Sequence, residues 1–65
     1  MQALISLCDG EEDFFEGFFD LTDSSEKGQI ELIREVAKYD TRKLHCAHLR
    51  VHGVTQHYYR DELVG

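Results

Sequence analysis

Residues 41–60, TRKLHCAHLRVHGVTQHYYR, decide the fold, because the stretch reads in two periods at once. At helical spacing, Asp40 or Thr41 caps a helix from Arg42 to about Val51. Its inward face is Leu44, Ala47 and Val51, with Cys46 and Leu49 beside them. Gly53 breaks that helix, Thr55 caps another from Gln56 to about Val64, and Val54 staples against Tyr59. At a period of two, His45, Ala47, Leu49 and Val51 alternate with Leu44, Cys46, His48 and Arg50. Residues 43–52 are then a strand that pairs with residues 1–7. The helical reading predicts an all-α domain of three to four short helices with a helix-turn-helix-like C-terminal pair. The strand reading gives the alternative, an α+β fold.

Charge is distributed unevenly around this stretch. It carries Arg42, Lys43, Arg50, Arg60 and all four histidines with no acidic residue, in a chain whose net charge is −6. Residues 1–26 hold Asp9, Glu11, Glu12, Asp13, Glu16, Asp20, Asp23 and Glu26 without one Lys or Arg. The chain is electrically bipolar, and a polyanion would meet it on the basic window.

Toward the N-terminus, the apolar residues of Met1–Cys8 make a short strand or the start of a helix. Phe14, Phe15, Phe18 and Phe19 recur at three and four residues, which predicts a helix over Glu11–Leu21 with a phenylalanine ridge. Gly17 weakens it by about 1 kcal/mol relative to alanine. Asp23-Ser-Ser-Glu26 has capping-box spacing and starts a further helix running to about Tyr39, with Ile30, Leu32, Ile33, Val36, Ala37 and Tyr39 on its apolar face.

Sixty-five residues make a single small domain over 1–65, with an acidic Phe-rich half (1–26) and a basic half (41–64). No apolar run approaches the roughly 20 residues of a membrane span, and Met1–Cys8 lacks a basic signal-peptide start, so the chain reads as cytoplasmic without membrane association. Cys8 and Cys46 are expected free. The small core makes a homo-oligomer the expectation. No glycine-rich phosphate loop or nucleophile motif is present, so no enzyme activity and no cofactor are expected. Cys46, His48 and His52 lie close in sequence, and on a helix His48 and His52 stand one turn apart with His45 beside them, a weak zinc pattern without a Cys-x-x-Cys pair.

The helical reading places a second helix in the DNA major groove. Gln56, His57 and Arg60 read bases, while Arg42, Lys43, Arg50 and Thr55 hold phosphates. Ser25-Glu26-Lys27, Thr41-Arg42-Lys43, Cys46, Val51, Tyr58-Tyr59 and Leu63 together resemble the PapB family of fimbrial-operon transcription regulators. The resemblance spans residues 13–63 and implies a helix-turn-helix DNA binder that oligomerises on AT-rich DNA. About two extra residues around His52-Gly53, and Gln-His before the aromatic pair, depart from the family pattern.

The competing expectation is an acidic inhibitor of the kind carried by phages and mobile elements, anti-CRISPR proteins included. Glu12, Asp13, Phe14, Phe15, Glu16, Phe18 and Phe19 would occupy the basic groove of a nucleic-acid-binding protein, with charge steering the approach and aromatics anchoring it.

Overall fold

The computed structural model describes residues 1–38 and 44–64, the side chain of residue 64 excepted. Along the chain run β1 (Gln2–Cys8), β2 (Asp13–Asp20), α1 (Glu26–Ala37), β3 (Cys46–Val51), β4 (Val54–Tyr59) and α2 (Arg60–Val64). The strands form one antiparallel sheet in the order β2-β1-β3-β4. The architecture is α+β, not all-α, and β1 pairs with β3 as the period-two reading requires.

Burial on β1 explains the outcome. Ala3, Ile5 and Leu7 point to one face and are fully or almost fully buried. Ile5 pairs with Leu49 and Leu7 with Ala47, so β3 continues the same apolar surface, and Tyr58 of β4 extends it opposite Ala47. Ile33 and Ala37 of α1, with Leu21, Leu44 and Leu63, close the core over this face.

The helix expected from Arg42 to Val51 is therefore not formed over its described part. Arg42 and Lys43 lie outside the described residues, and Cys46–Val51 is a strand. A helix would turn Ala47 and Leu49 about 200° apart, whereas a strand sets both inward. Nor is there a helix at Gln56–Tyr59. His52 (φ 52°) and Gly53 (φ 78°) form a two-residue turn with Val51 paired to Val54. Positive φ at both central residues is the mark of a hairpin turn whose twist matches its strands. Gly53 is thus a hairpin residue rather than a helix breaker, and Thr55 lies within a strand rather than at a cap. Val54 and Tyr59 are more than half exposed and make no staple. Of the expected last helix only Arg60–Val64 remains, where Glu62 Oε2 accepts the Tyr59 N–H at 2.9 Å.

Glu11–Leu21 is also not helical. Phe15, Gly17 and Phe19 pair with Leu7, Ile5 and Ala3 and share their face. A spacing of four satisfies both a helix and a strand, and the glycine and the aromatics favour the strand.

α1 is the helix expected from the sequence, with its cap two residues later. Ser25 is the N-cap, its Oγ accepting the Gly28 N–H at 3.2 Å, while Asp23 Oδ1 accepts from the Ser25 N–H at 3.0 Å. The Asp23–Glu26 capping box is not formed. A Cβ at Gly28 would collide with the Asp23 carbonyl oxygen, so the chain can turn into α1 only past a glycine. Ile30, Leu32 and Val36 pack on the core as expected, and Tyr39 lies outside the described residues. No helix among the described residues is long and apolar enough to cross a membrane.

One buried polar chain ties α1 to the sheet. The Tyr58 hydroxyl donates to Gln29 Oε1 at 2.7 Å, and Gln29 Nε2 donates to the Ser24 carbonyl at 2.8 Å. Burial first, then the nearby Glu26 and Glu62, raise the Tyr58 pKa. The fold therefore favours the neutral phenol. That contribution is whole below the ordinary tyrosine range near pH 10 and is lost as pH rises beyond it. Tyr58→Phe, which strands the Gln29 oxygen, should cost about 1–2 kcal/mol in urea unfolding at pH 7. Its stability should then fall less steeply than wild type above about pH 10.

Candidate functional site

The sheet has one face under α1 and one face that no described helix covers. Register carries three rows of side chains across the open face, each running from β2 to β4. They are Phe18–Leu4–Arg50–Thr55, Glu16–Ser6–His48–His57 and Asp13–Cys8–Cys46–Tyr59. Carboxylates stand at the β2 end of two of these rows and Phe18 at that of the third, while Arg50, His48 and His57 stand on β3 and β4. The bipolarity of the sequence is thus converted into polarity across a surface. β1 separates the two ends, holding β2 and β3 roughly 9–10 Å apart.

β2 is an edge strand, with no described strand beyond it. Its sequence, DFFEGFFD, distributes aromatics to both faces. Phe15 and Phe19 lie on the α1 side with ring centroids 6.0 Å apart, closing over Gly17, whose added Cβ would sit 3.2–3.3 Å from both rings. Phe14 stands at the register shift between Leu7 and Cys8, and both Phe14 and Phe19 pack against the core. Phe18 is different: it is 71% exposed on the open face, and Phe15 is 39% exposed.

The carboxylates around this strand divide by role. Asp9 shapes the β1–β2 turn, its Oδ1 accepting from the Glu11 and Glu12 N–H groups at 3.0 and 3.1 Å. Asp20 pairs with the Met1 amine at 3.1 Å, and Glu16 accepts from the Ser6 hydroxyl at 3.4 Å. Glu11, Glu12 and Asp13 are exposed at the end of the strand that follows the turn. The whole expected protein-interaction set, Glu12, Asp13, Phe14, Phe15, Glu16, Phe18 and Phe19, therefore lies on this edge or in the turn that leads into it.

The expected DNA-reading set is not brought together. Thr55 and His57 share the open face with Arg50, but Gln56 faces the other way, into a recess with Glu26, Gln29 and Glu62. Strand periodicity separates neighbours that a helix N-terminus would have grouped. The Arg60 guanidinium donates to the Leu44 carbonyl at 3.0 Å and braces α2 against the chain. Nor does the zinc pattern assemble. His52 sits in the turn at the far end of β3 from Cys46, and among the described residues no group of three or more His, Cys, Asp and Glu is disposed to hold a metal ion.

Two groupings are not visible from the sequence. His48 and His57 face each other with ring centroids 4.4 Å apart, and Cys8 lies directly across from Cys46. Their only signal is the alternation Cys46-x-His48-x-Arg50, legible once residues 43–52 are read as a strand.

No protein-family model, curated protein or solved structure matches the chain. The helix-turn-helix implied by the resemblance to fimbrial-operon regulators is not formed, because Cys46, Val51, Tyr58 and Tyr59 stand on strands.

The burial differences divide the phenylalanines by task. Phe18→Ser should shift stability by no more than about 0.5 kcal/mol, as expected for an exposed site. Phe19→Ala should cost about 2 kcal/mol or more, its ring being packed on the core. Urea midpoints of the two variants check this.

Proposed function

We propose that the protein is an acidic binding module that docks β2 and its flanking carboxylates into a basic groove of a nucleic-acid-binding protein, competing with the nucleic acid for that groove. The observation that carries this reading is an exposed aromatic on an open sheet edge, framed by carboxylates. Phe18 projects from β2 while Glu11, Glu12, Asp13 and Glu16 surround or precede it. An exposed aromatic of this size can serve as the anchor that fills a partner's pocket. The edge offers unpaired backbone groups for strand addition, which supplies affinity without demanding a particular partner sequence. The carboxylates steer approach toward positive surface, and their effect falls as salt rises.

The division of labour has a kinetic signature. Charge acts mainly on association, whereas an aromatic buried in a partner pocket acts mainly on dissociation. The DNA-binding regulator expected from the sequence lacks the helix pair on which its base contacts depended, and the Arg60 guanidinium is held by the Leu44 carbonyl.

Surface-immobilised protein should be tested against purified basic nucleic-acid-binding domains, with mobility shifts on AT-rich and random DNA at two salt concentrations alongside. We expect a bound domain whose association slows roughly tenfold when Glu12, Asp13 and Glu16 are neutralised to Gln, Asn and Gln. Phe18→Ser should instead speed dissociation. Salt-dependent retention of DNA by the chain alone, with none of the domains bound, would overturn the reading.

A further inference from the structure

Cys8 ends β1 and Cys46 opens β3, and the register sets them directly opposite each other. Opposed residues in an antiparallel pair carry their side chains on one face, with Cα atoms about 4.5–5.5 Å apart. That lies inside the roughly 4.4–6.8 Å a disulfide spans. Both are free thiols, and both are half-buried, so a small reagent can reach them. The two thiols are near enough for Cys8 to raise the pKa of Cys46.

The surroundings distinguish the two sulfurs. Gly10 donates its backbone N–H to Cys8 Sγ at 3.3 Å. Burial, then the neighbouring Cys8, pushes the Cys46 thiol up to about 11. It therefore keeps its proton at neutral pH. A base stands next to it: His48 Nε2 lies 4.0 Å from Cys46 Sγ.

We propose that Cys8 and Cys46 form a dithiol exchange site for small aliphatic disulfides of the oxidised-glutathione type, and that exchange closes a covalent bond between β1 and β3. Cys8, as thiolate, attacks one sulfur of the small disulfide. The S–S bond breaks, and the departing thiolate takes up the proton that Cys8 released. Cys46 then gives its proton to His48 Nε2 and attacks the Cys8 sulfur of the mixed disulfide. The second small thiolate leaves and recovers that proton. Two protein thiols are oxidised to one disulfide, and one small disulfide is reduced to two thiols. The register holds the thiols together before the reaction, so the second step is intramolecular and fast relative to capture of a second reagent molecule.

The test treats the full-length chain with oxidised glutathione at pH 7.5, quenches in acid and reads intact mass and tryptic peptides without reductant. We expect a product lighter by two hydrogens, with the Cys8 and Cys46 peptides linked and no lasting glutathione adduct. Cys46→Ser should trap glutathione on Cys8, and Cys8→Ser should react about tenfold more slowly than wild type. The oxidised wild type should melt about 10–20 °C above the reduced protein, since the bond closes a long loop. A wild type that keeps both thiols, or that accumulates two glutathione adducts instead of the link, overturns the proposal. The linked or unlinked mass is read on wild-type protein, so the outcome does not depend on whether either variant folds.

Discussion

Everything in this molecule hangs on β1 being paired along both of its edges. A strand flanked on both sides satisfies its backbone groups completely, and here it also turns Ala3, Ile5 and Leu7 inward as the floor of the core. In a chain this short there is little other apolar area on which to build. β3 must then continue the floor with Ala47 and Leu49, and α1 must roof it with Ile33 and Ala37. Once β1 is central, β2 and β4 become edges, and the rows of the open face follow from register alone.

The surface chemistry is a projection of that constraint. Antiparallel pairing converts residues distant in the chain into neighbours, so Glu16, Ser6, His48 and His57 fall into one row although they span most of the sequence. The acidic first third of the chain lies on the β2 side, and the histidine-rich hairpin lies on the other. β1 lies between them, roughly 9–10 Å separating β2 from β3. Polar demands within the core are met locally by Tyr58, Gln29 and the Ser24 carbonyl, which also anchor the start of α1.

How far the sequence reveals this varies by element. α1 is readable because its apolar positions recur at one period only and a serine stands ready to cap it; the exact cap is not, since Asp23 and Ser25 both offer suitable oxygens. β2 reads as a helix because phenylalanines four apart satisfy both a helix and a strand, and only the partner Ile5 opposite Gly17 decides between them. β3 carries its alternation openly, but its choice depends on β1, which is remote in the chain. The His52-Gly53 turn is hidden because histidine seldom takes positive φ, so the hairpin lacks the usual Asn-Gly signature. The acidic aromatic stretch is legible as a candidate surface from composition, whereas the grouping of Cys8 with Cys46 needs three-dimensional register.

The apex of the second hairpin has an implication for how the chain can change. Gly53 is exposed, and a Cβ built on it meets nothing within 4 Å. Lengthening the loop there adds little closure entropy, because that cost grows only with the logarithm of loop size. Extra residues at this tip would project into solvent away from the floor of the core. The domain thus offers a built-in attachment point for grafted peptides or reporter groups, at the end of the hairpin farthest from Cys46 and Tyr59.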